Sequence, residues 1–141
     1  MTNKLHPLQQ ISFTHANQAY VVEASAGTGK TWTIERLFIK ALLEATQPDN
    51  LLIPLAIENI LVVTFTNDAT DELKQRISEQ IQTTINQIIY LNNQFEQGQI
   101  PVTNQDIFLE YLLARQTNSA VNSRKELFLQ DLTLLTRALQ N

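Results

Sequence analysis

The spacing of apolar residues changes character along the chain. Tyr20–Val22 is a short aromatic and β-branched run that predicts a buried strand. Residues 1–18 before it are polar, with one proline, Pro7, and read as a loop or a short helix. Further on, Ile34, Leu37, Phe38, Ala41 and Leu42 recur at the three- and four-residue steps of an amphipathic helix, predicted over roughly Lys30 to Ala45. Pro48 cannot continue a helix and Asp49–Asn50 suit a turn. Pro54 disfavours a central strand through the next apolar stretch. Asn59–Phe65 is apolar at nearly every position rather than alternating, the pattern of a parallel strand covered on both faces. A long helix follows, with Leu73, Ile77, Ile81, Ile85 and Ile88 on one face, reaching to about Phe95 and closed by Gly98 and Pro101. Two further helices are predicted. One spans Asp106–Arg115; in the other, Ser123 and Glu126 form a capping-box pattern ahead of Phe128, Leu132, Leu135 and Leu139.

The expected order is therefore β-α-β, then α only. Two parallel strands need a crossover helix between them, with a right-handed connection, so the expected fold class is α/β: a partial parallel sheet followed by a helical segment. Composition shifts near Ser78. The predicted strands and two glycines lie before it; Gln, Asn and Leu on helices follow, which suggests a division into 1–78 and 79–141.

Composition narrows the function classes. A chain of 141 residues, 43% hydrophobic and 17% charged, is long enough for one ordinary domain with its own core. Without cysteine, disulfides, thiolate zinc sites and cysteine nucleophiles are excluded. The two histidines, His6 and His15, lie in the polar N-terminal stretch and read as solvated loop residues. A net charge of -4 gives no overall field that attracts a phosphate backbone, so any nucleic-acid contact must be local. No apolar run is long enough for a membrane span, and the start, MTNKLHPLQQ, lacks the apolar core of a secretory leader. No membrane partner and a cytoplasmic location are expected.

Two of the chain's three glycines, Gly27 and Gly29, stand directly before a Lys-Thr pair. From Ala24 the sequence reads A-S-A-G-T-G-K-T, which fits the phosphate-binding loop G-x-x-x-x-G-K-[ST] with Ala24 in the first glycine position. Backbone N–H groups can surround a polyphosphate only where the chain curls with few side chains in the way. The N-terminus of the following helix adds unpaired N–H groups and a partial positive charge. Lys30 can reach the β- and γ-phosphate oxygens, and the Thr31 hydroxyl can ligate Mg²⁺. The candidate cofactor-binding residues are Ala24, Ser25, Ala26, Gly27, Thr28, Gly29, Lys30 and Thr31; Lys30 and Thr31 are the catalytic candidates and Thr31 the metal ligand. Ser25 and Thr28 either add hydroxyl contacts or favour the loop conformation. Glu23 either orients Lys30 or a magnesium-bound water, or is a solvated or paired carboxylate.

A second unusual segment is Ile60–Ile77, ILVVTFTNDATDELKQRI. Thr64, Phe65, Thr66 and Asn67 follow the apolar run, and Asp68, Asp71 and Glu72 lie in the first turns of the predicted helix. Ligands bind at the C-terminal strand ends of open α/β sheets. A hydroxyl–aromatic–hydroxyl–amide tip there offers hydrogen bonds to phosphate and sugar and one ring for a base to stack on. Alternatively, the segment is a strand-to-helix turn with Thr and Asn as caps.

Taken together, A-S-A-G-T-G-K-T and, further on, I-L-V-V-T-F-T-N-x-A-x-x-E-L-x-x-R-I resemble motifs I and Ia of the UvrD-like superfamily 1 DNA helicases. Within that family they are most similar to the N-terminus of the RecB-type beta subunits of exodeoxyribonuclease V. The resemblance covers Tyr20–Ile77; the helical remainder is similar to the start of an insertion after motif Ia. It implies a RecA-like P-loop NTPase fold and an ATP-driven 3′-to-5′ translocase on single-stranded DNA, within a multisubunit helicase–nuclease that processes broken ends. Gly27, Gly29, Lys30 and Thr31 would hold ATP and Mg²⁺. Thr64, Phe65 and Thr66, with Asn67, would lie at the DNA strand. The family's adenine-reading glutamine has no clear counterpart: nothing singles out Gln9 or Gln10, and Gln18 is close to the loop. Trp32 stands where many relatives carry Arg, and either stacks on a base or packs in the core.

ATP hydrolysis in this class also needs a carboxylate pair on a later strand, and arginines for the transition-state charge. Asp131 follows an apolar stretch but sits on an apparent amphipathic helix with Leu132 next, so it is not that strand end. The expectation is an N-terminal fragment that binds nucleotide without appreciable turnover. Two strands cut from a larger sheet would leave free edges that favour self-association. The rival readings are a complete small P-loop kinase, which would show an acceptor carboxylate and a basic lid, and a helical interaction module over 79–141 beside a vestigial loop.

Overall fold

The structure, a computed structural model, describes residues 6–13, 30–44, 60–64, 66–117 and 121–140. Its helices are α1 (Pro7–Gln10), α2 (Lys30–Glu44), α3 (Asn67–Glu96), α4 (Ile107–Thr117) and α5 (Val121–Gln140). None of them is long and apolar enough to cross a membrane.

The expected α/β class is not what these residues form. Among the described residues there is no strand. The first predicted strand, Tyr20–Val22, lies outside them. The second is described over 60–64 and carries no β-ladder; Leu61 and Val63 are 86% and 79% exposed, and Val62 37%. A strand exists only through hydrogen bonds to a neighbouring segment, and an unbroken apolar run specifies one only when both its faces are covered. The run from Ile60 has the composition for burial but no described strand beside it. The RecA-like partial sheet is therefore replaced by an all-helical description, and association through sheet edges has no edge among the described residues to act through.

The chain divides into two compact units, Met1–Gln80 and Ile81–Asn141. In the first, α1 is a single turn with a complete cap. The His6 imidazole accepts the Leu8 N–H at 3.1 Å, Gln9 Oε1 accepts the His6 N–H at 2.9 Å, and Pro7 occupies the position where a missing N–H costs nothing. α1 packs on α2. There the buried Lys40 ammonium donates to the Leu8 carbonyl at 2.8 Å and lies 3.7 Å from Glu44. An ammonium taken from water needs such partners, and the end of a one-turn helix has orphan carbonyls to offer. Leu8, Ile11, Ile39, Leu42, Leu43 and Ile77 form the unit's apolar core. The predicted α2 stripe holds at Ala41 and Leu42, which are buried, but not at Ile34, which is 41% exposed; Ile39, outside it, is fully buried. Glu35 and Lys40 occupy part of the buried face.

In the second unit, Ile81, Ile85, Ile88 and Leu91 of α3 are buried, continuing the predicted four-residue steps. Two residues after α3 ends comes Gly98, whose φ of 69° is the left-handed conformation that glycine adopts without steric cost. There the Gln99 N–H reaches back to Gln94 O at 2.9 Å and the Gly98 N–H to Phe95 O at 3.1 Å. Asp106 caps α4, its Oδ1 accepting the N–H groups of Phe108 and Leu109 at 3.0 and 3.1 Å. α5 begins two residues before Ser123, which therefore lies inside the helix rather than at its cap. α4 and α5 pack together around Phe108, Leu112 and Leu135, each at most 1% exposed. A bidentate pair joins them: Arg115 Nε and Nη2 donate to the two Asp131 oxygens, both at 2.9 Å.

Asp131 is fully buried, and burial raises its carboxyl above the ordinary value against the hydrogen bonds and charge of Arg115. A pair of this kind fixes a geometry more than it adds net stability. Asp131→Ala, which leaves a cation facing an apolar interior, is expected to destabilise the second unit by about 3–5 kcal/mol. Replacing both partners with apolar residues, Arg115→Met with Asp131→Leu, is expected to restore most of that loss. Urea unfolding of the single and double variants, followed by circular dichroism, measures both.

Candidate functional site

α2 begins at Lys30, with Thr31 beside it, and both side chains are exposed. The first turn carries no acidic residue, so no carboxylate of that turn competes with an anion for the N–H groups. Ala24, Ser25, Ala26, Gly27, Thr28 and Gly29 lie outside the described residues, as does Glu23. The described half of the candidate phosphate site is therefore a helix start bearing an exposed ammonium and an exposed hydroxyl. A single hydroxyl is a sparse donor set, and it suits an ion that draws its other ligands from water and phosphate. Among the described residues, no group of three His, Asp or Glu side chains is placed to hold a metal.

Trp32 follows directly. Its half-buried ring meets the His6 ring edge-on at 5.5 Å, and the Arg36 guanidinium lies 4.0 Å from its centroid. Arg36 also donates to the Trp32 carbonyl at 3.1 Å. These contacts pack the Trp32 ring against His6 and Arg36. They also make His6 a helix cap and a ring partner, not a solvated loop residue. Gln9 is likewise bound into the α1 cap.

The second candidate cluster sits at the start of α3. Thr66 is its N-cap: the hydroxyl accepts the Ala69 N–H at 3.1 Å and the carbonyl accepts the Thr70 N–H at 3.1 Å. The Thr64 and Thr70 hydroxyls meet each other, and lie 2.9 and 3.0 Å from the Thr66 carbonyl. Asn67 is the first residue of the helix and is exposed; Phe65 lies outside the described residues. The capping reading of this segment is thus realised at Thr66, while Thr66 and Asn67 still face solvent. Asp68, Asp71 and Glu72 are exposed along the next turns. Their negative charge complements the partial positive charge at the start of the helix.

Sequence reasoning missed the side chain that links α2 to α3. Glu35 is 8% exposed. Its Oε2 lies 3.3 Å from Arg36 Nη1 and its Oε1 3.9 Å from Arg76 Nη1. Arg76 also binds Glu72 Oε1 through Nε and Nη2, both at 3.1 Å. The Glu72–Arg76 spacing of four was a visible helical pair; Glu35 lay off the predicted apolar stripe and gave no sign of burial. Burial raises the Glu35 carboxyl above its ordinary value; Arg36 and Arg76 pull it down, and Glu79 pushes it further up.

An exposed Lys-Thr pair thus opens α2, and a Thr66 cap opens α3. The chain belongs to the UvrD/REP helicase N-terminal domain family, whose model matches residues 5–136. Among curated proteins it is similar to the RecBCD enzyme subunit RecB of Haemophilus influenzae, with 50% identity over 82 residues, 58% of this chain and 7% of that protein. It is also similar to the RecB subunit of Chlamydia muridarum, at 46% over 72 residues (51% of this chain, 6% of that protein). With RecB of Escherichia coli K12 it shares 49% identity over 61 residues (43% of this chain, 5% of that protein). The aligned residues thus span only 5–7% of the length of these relatives. No solved structure matches it.

Two measurements check this arrangement. Thr66→Ala removes the cap acceptor and is expected to cost about 1 kcal/mol, read by thermal unfolding. For Glu35, the raised folded value means that the folded chain holds this proton more tightly than the unfolded one. Its stabilisation is complete below the ordinary value of 4.5 and is lost as pH rises through the folded value. Glu35→Gln, which cannot ionise, is expected to gain stability relative to the parent between pH 4 and pH 7 in paired unfolding curves.

Proposed function

We propose that this chain is the N-terminal, ATP-binding portion of an ATP-dependent DNA helicase–exonuclease subunit acting in double-strand break repair and recombination. The observation that carries the reading is the family match over 5–136, which contains the A-S-A-G-T-G-K-T loop at the head of α2. In this reading, residues 1–78 are the nucleotide-binding part of the helicase domain and 79–141 begin its helical insertion. Ala24 to Gly29 would offer backbone N–H groups to the phosphates, Lys30 would neutralise phosphate oxygens, and Thr31 would offer its hydroxyl to Mg²⁺. Mg²⁺, when bound, would supply neutralisation of phosphate charge. Thr64, Phe65, Thr66 and Asn67 receive single-stranded DNA, Thr66 and Asn67 through exposed polar groups at the start of α3. The other partners are further subunits of a helicase–nuclease complex, as the names of the RecBCD relatives suggest, and the setting is the cytoplasm.

The chain by itself binds nucleotide without turnover. Water activation needs a carboxylate pair placed beyond the phosphates. The late acidic candidate, Asp131, is enclosed between α4 and α5 with Arg115. Titration with a fluorescent ATP analogue and Mg²⁺ tests the site. Lys30→Ala removes a charged hydrogen bond of about 1.5–3 kcal/mol and is expected to weaken binding by about 10- to 100-fold. Equal affinities for the two proteins would overturn the reading.

A further inference from the structure

A continuous run of polar contacts leads from the residue after Thr31 to the second turn of α3. The Trp32 carbonyl accepts Arg36 Nη1 at 3.1 Å; the same nitrogen lies 3.3 Å from Glu35 Oε2. Glu35 Oε1 lies 3.9 Å from Arg76 Nη1, and Arg76 grips Glu72 through two nitrogens at 3.1 Å. Glu35 stands five residues along α2 from Lys30, and Glu72 five residues along α3 from Asn67. Both lie about 7.5 Å along stiff helices from the residues assigned to the two ligands. The carboxylate is buried and the guanidinium that answers it is 49% exposed, so the link joins an anchored group to one that can re-aim.

We infer that Glu35 and Arg76 are positioning residues that couple phosphate occupancy at Lys30 and Thr31 to strand binding at Thr64, Thr66 and Asn67. The inference rests on the functional reading above. A ligand that shifts the start of α2 moves Glu35, and with it the charge against which Arg76 and the first turns of α3 are set. By linkage, a strand bound at α3 must alter nucleotide affinity by the same factor as nucleotide alters strand affinity.

The test is a binding cycle on the full chain, with a non-hydrolysable ATP analogue plus Mg²⁺ as one ligand and a short oligothymidylate as the other. In the parent, each ligand is expected to change the other's Kd by about 5-fold or more. In Glu35→Gln and in Arg76→Gln that factor falls to about 1, while each ligand alone binds within about 3-fold of the parent; Arg76→Lys, which keeps the cation, retains most of the factor. These thresholds follow from coupling energies of typical size. A pair that only held the fold together would lower the melting temperature and leave the factor unchanged. Arg76→Gln alters a half-exposed side chain, so this arm remains readable if Glu35→Gln fails to fold. If both ligands bind the parent without coupling, or the factor survives both Gln variants, the inference is overturned and the nucleotide reading stands. If nucleotide binding is absent or indifferent to Lys30→Ala, both fall together.

Discussion

Each amide withdrawn from water needs a hydrogen-bond partner; a helix finds it four residues away, whereas a strand must find it on another segment. The architecture follows from that asymmetry. α3 runs from Asn67 to Glu96 on its own hydrogen bonds, so it needs the rest of the chain only to cover its isoleucine stripe. Residues 60–64, richer per residue in β-forming side chains, are left without a ladder, with Leu61 and Val63 in solvent. What the chain supplies itself is helix ends: His6 and Gln9 for α1, Thr66 for α3, Gly98 at its close and Asp106 for α4.

Charged groups inside the two units obey the same need for partners at higher stakes. Lys40 spends its proton on a carbonyl of α1 and faces Glu44; Glu35 stands between Arg36 and Arg76; Asp131 is held at both oxygens by Arg115. Burial raises the carboxyl values of Glu35 and Asp131 despite these cations, so desolvation outweighs pairing at both. Such residues add little net stability compared with aliphatic ones. What they add is discrimination: α4 and α5 can slide only by leaving a guanidinium or a carboxylate unanswered in an apolar interior.

What was legible in the sequence divides along the same line. The stripe from Leu73 to Ile88, the Gly98 stop and the Asp106 start were all readable, because periodicity and capping are local properties that the fold carries out within a few residues. The strand at Asn59–Phe65 was not, because its signal concerns neighbours rather than itself. On α2 the stripe was right at Ala41 and Leu42 and wrong at Ile34: Glu35 and Lys40 turn inward, and their partners Arg76 and the Leu8 carbonyl lie 41 and 32 residues away in sequence. The histidine cap of α1 replaces the usual Ser, Thr or Asp with an imidazole, so composition left a loop and a short helix both open. Of the site, Lys30, Thr31, Thr64, Thr66 and Asn67 fall at the two helix starts that sequence placed them near; the loop Ala24–Gly29 and Phe65 lie outside the described residues.

The distinction between local and distributed features also bears on function. Gripping a phosphate draws on one curl of backbone and the first turn of the helix that follows, so its recognition motif is contiguous and survives comparison with relatives of which the aligned segment is only 5–7%. Hydrolysis draws on carboxylates and arginines placed beyond the phosphates by separate elements, and no contiguous motif encodes that placement. A segment of about this size can therefore carry a complete binding device while holding only part of a catalytic one. The polar run from Trp32 to Glu72 is of the intermediate kind: its members come from two helices, so no contiguous motif encodes it, and it joins a buried carboxylate, Glu35, to the exposed pair Arg76 and Glu72.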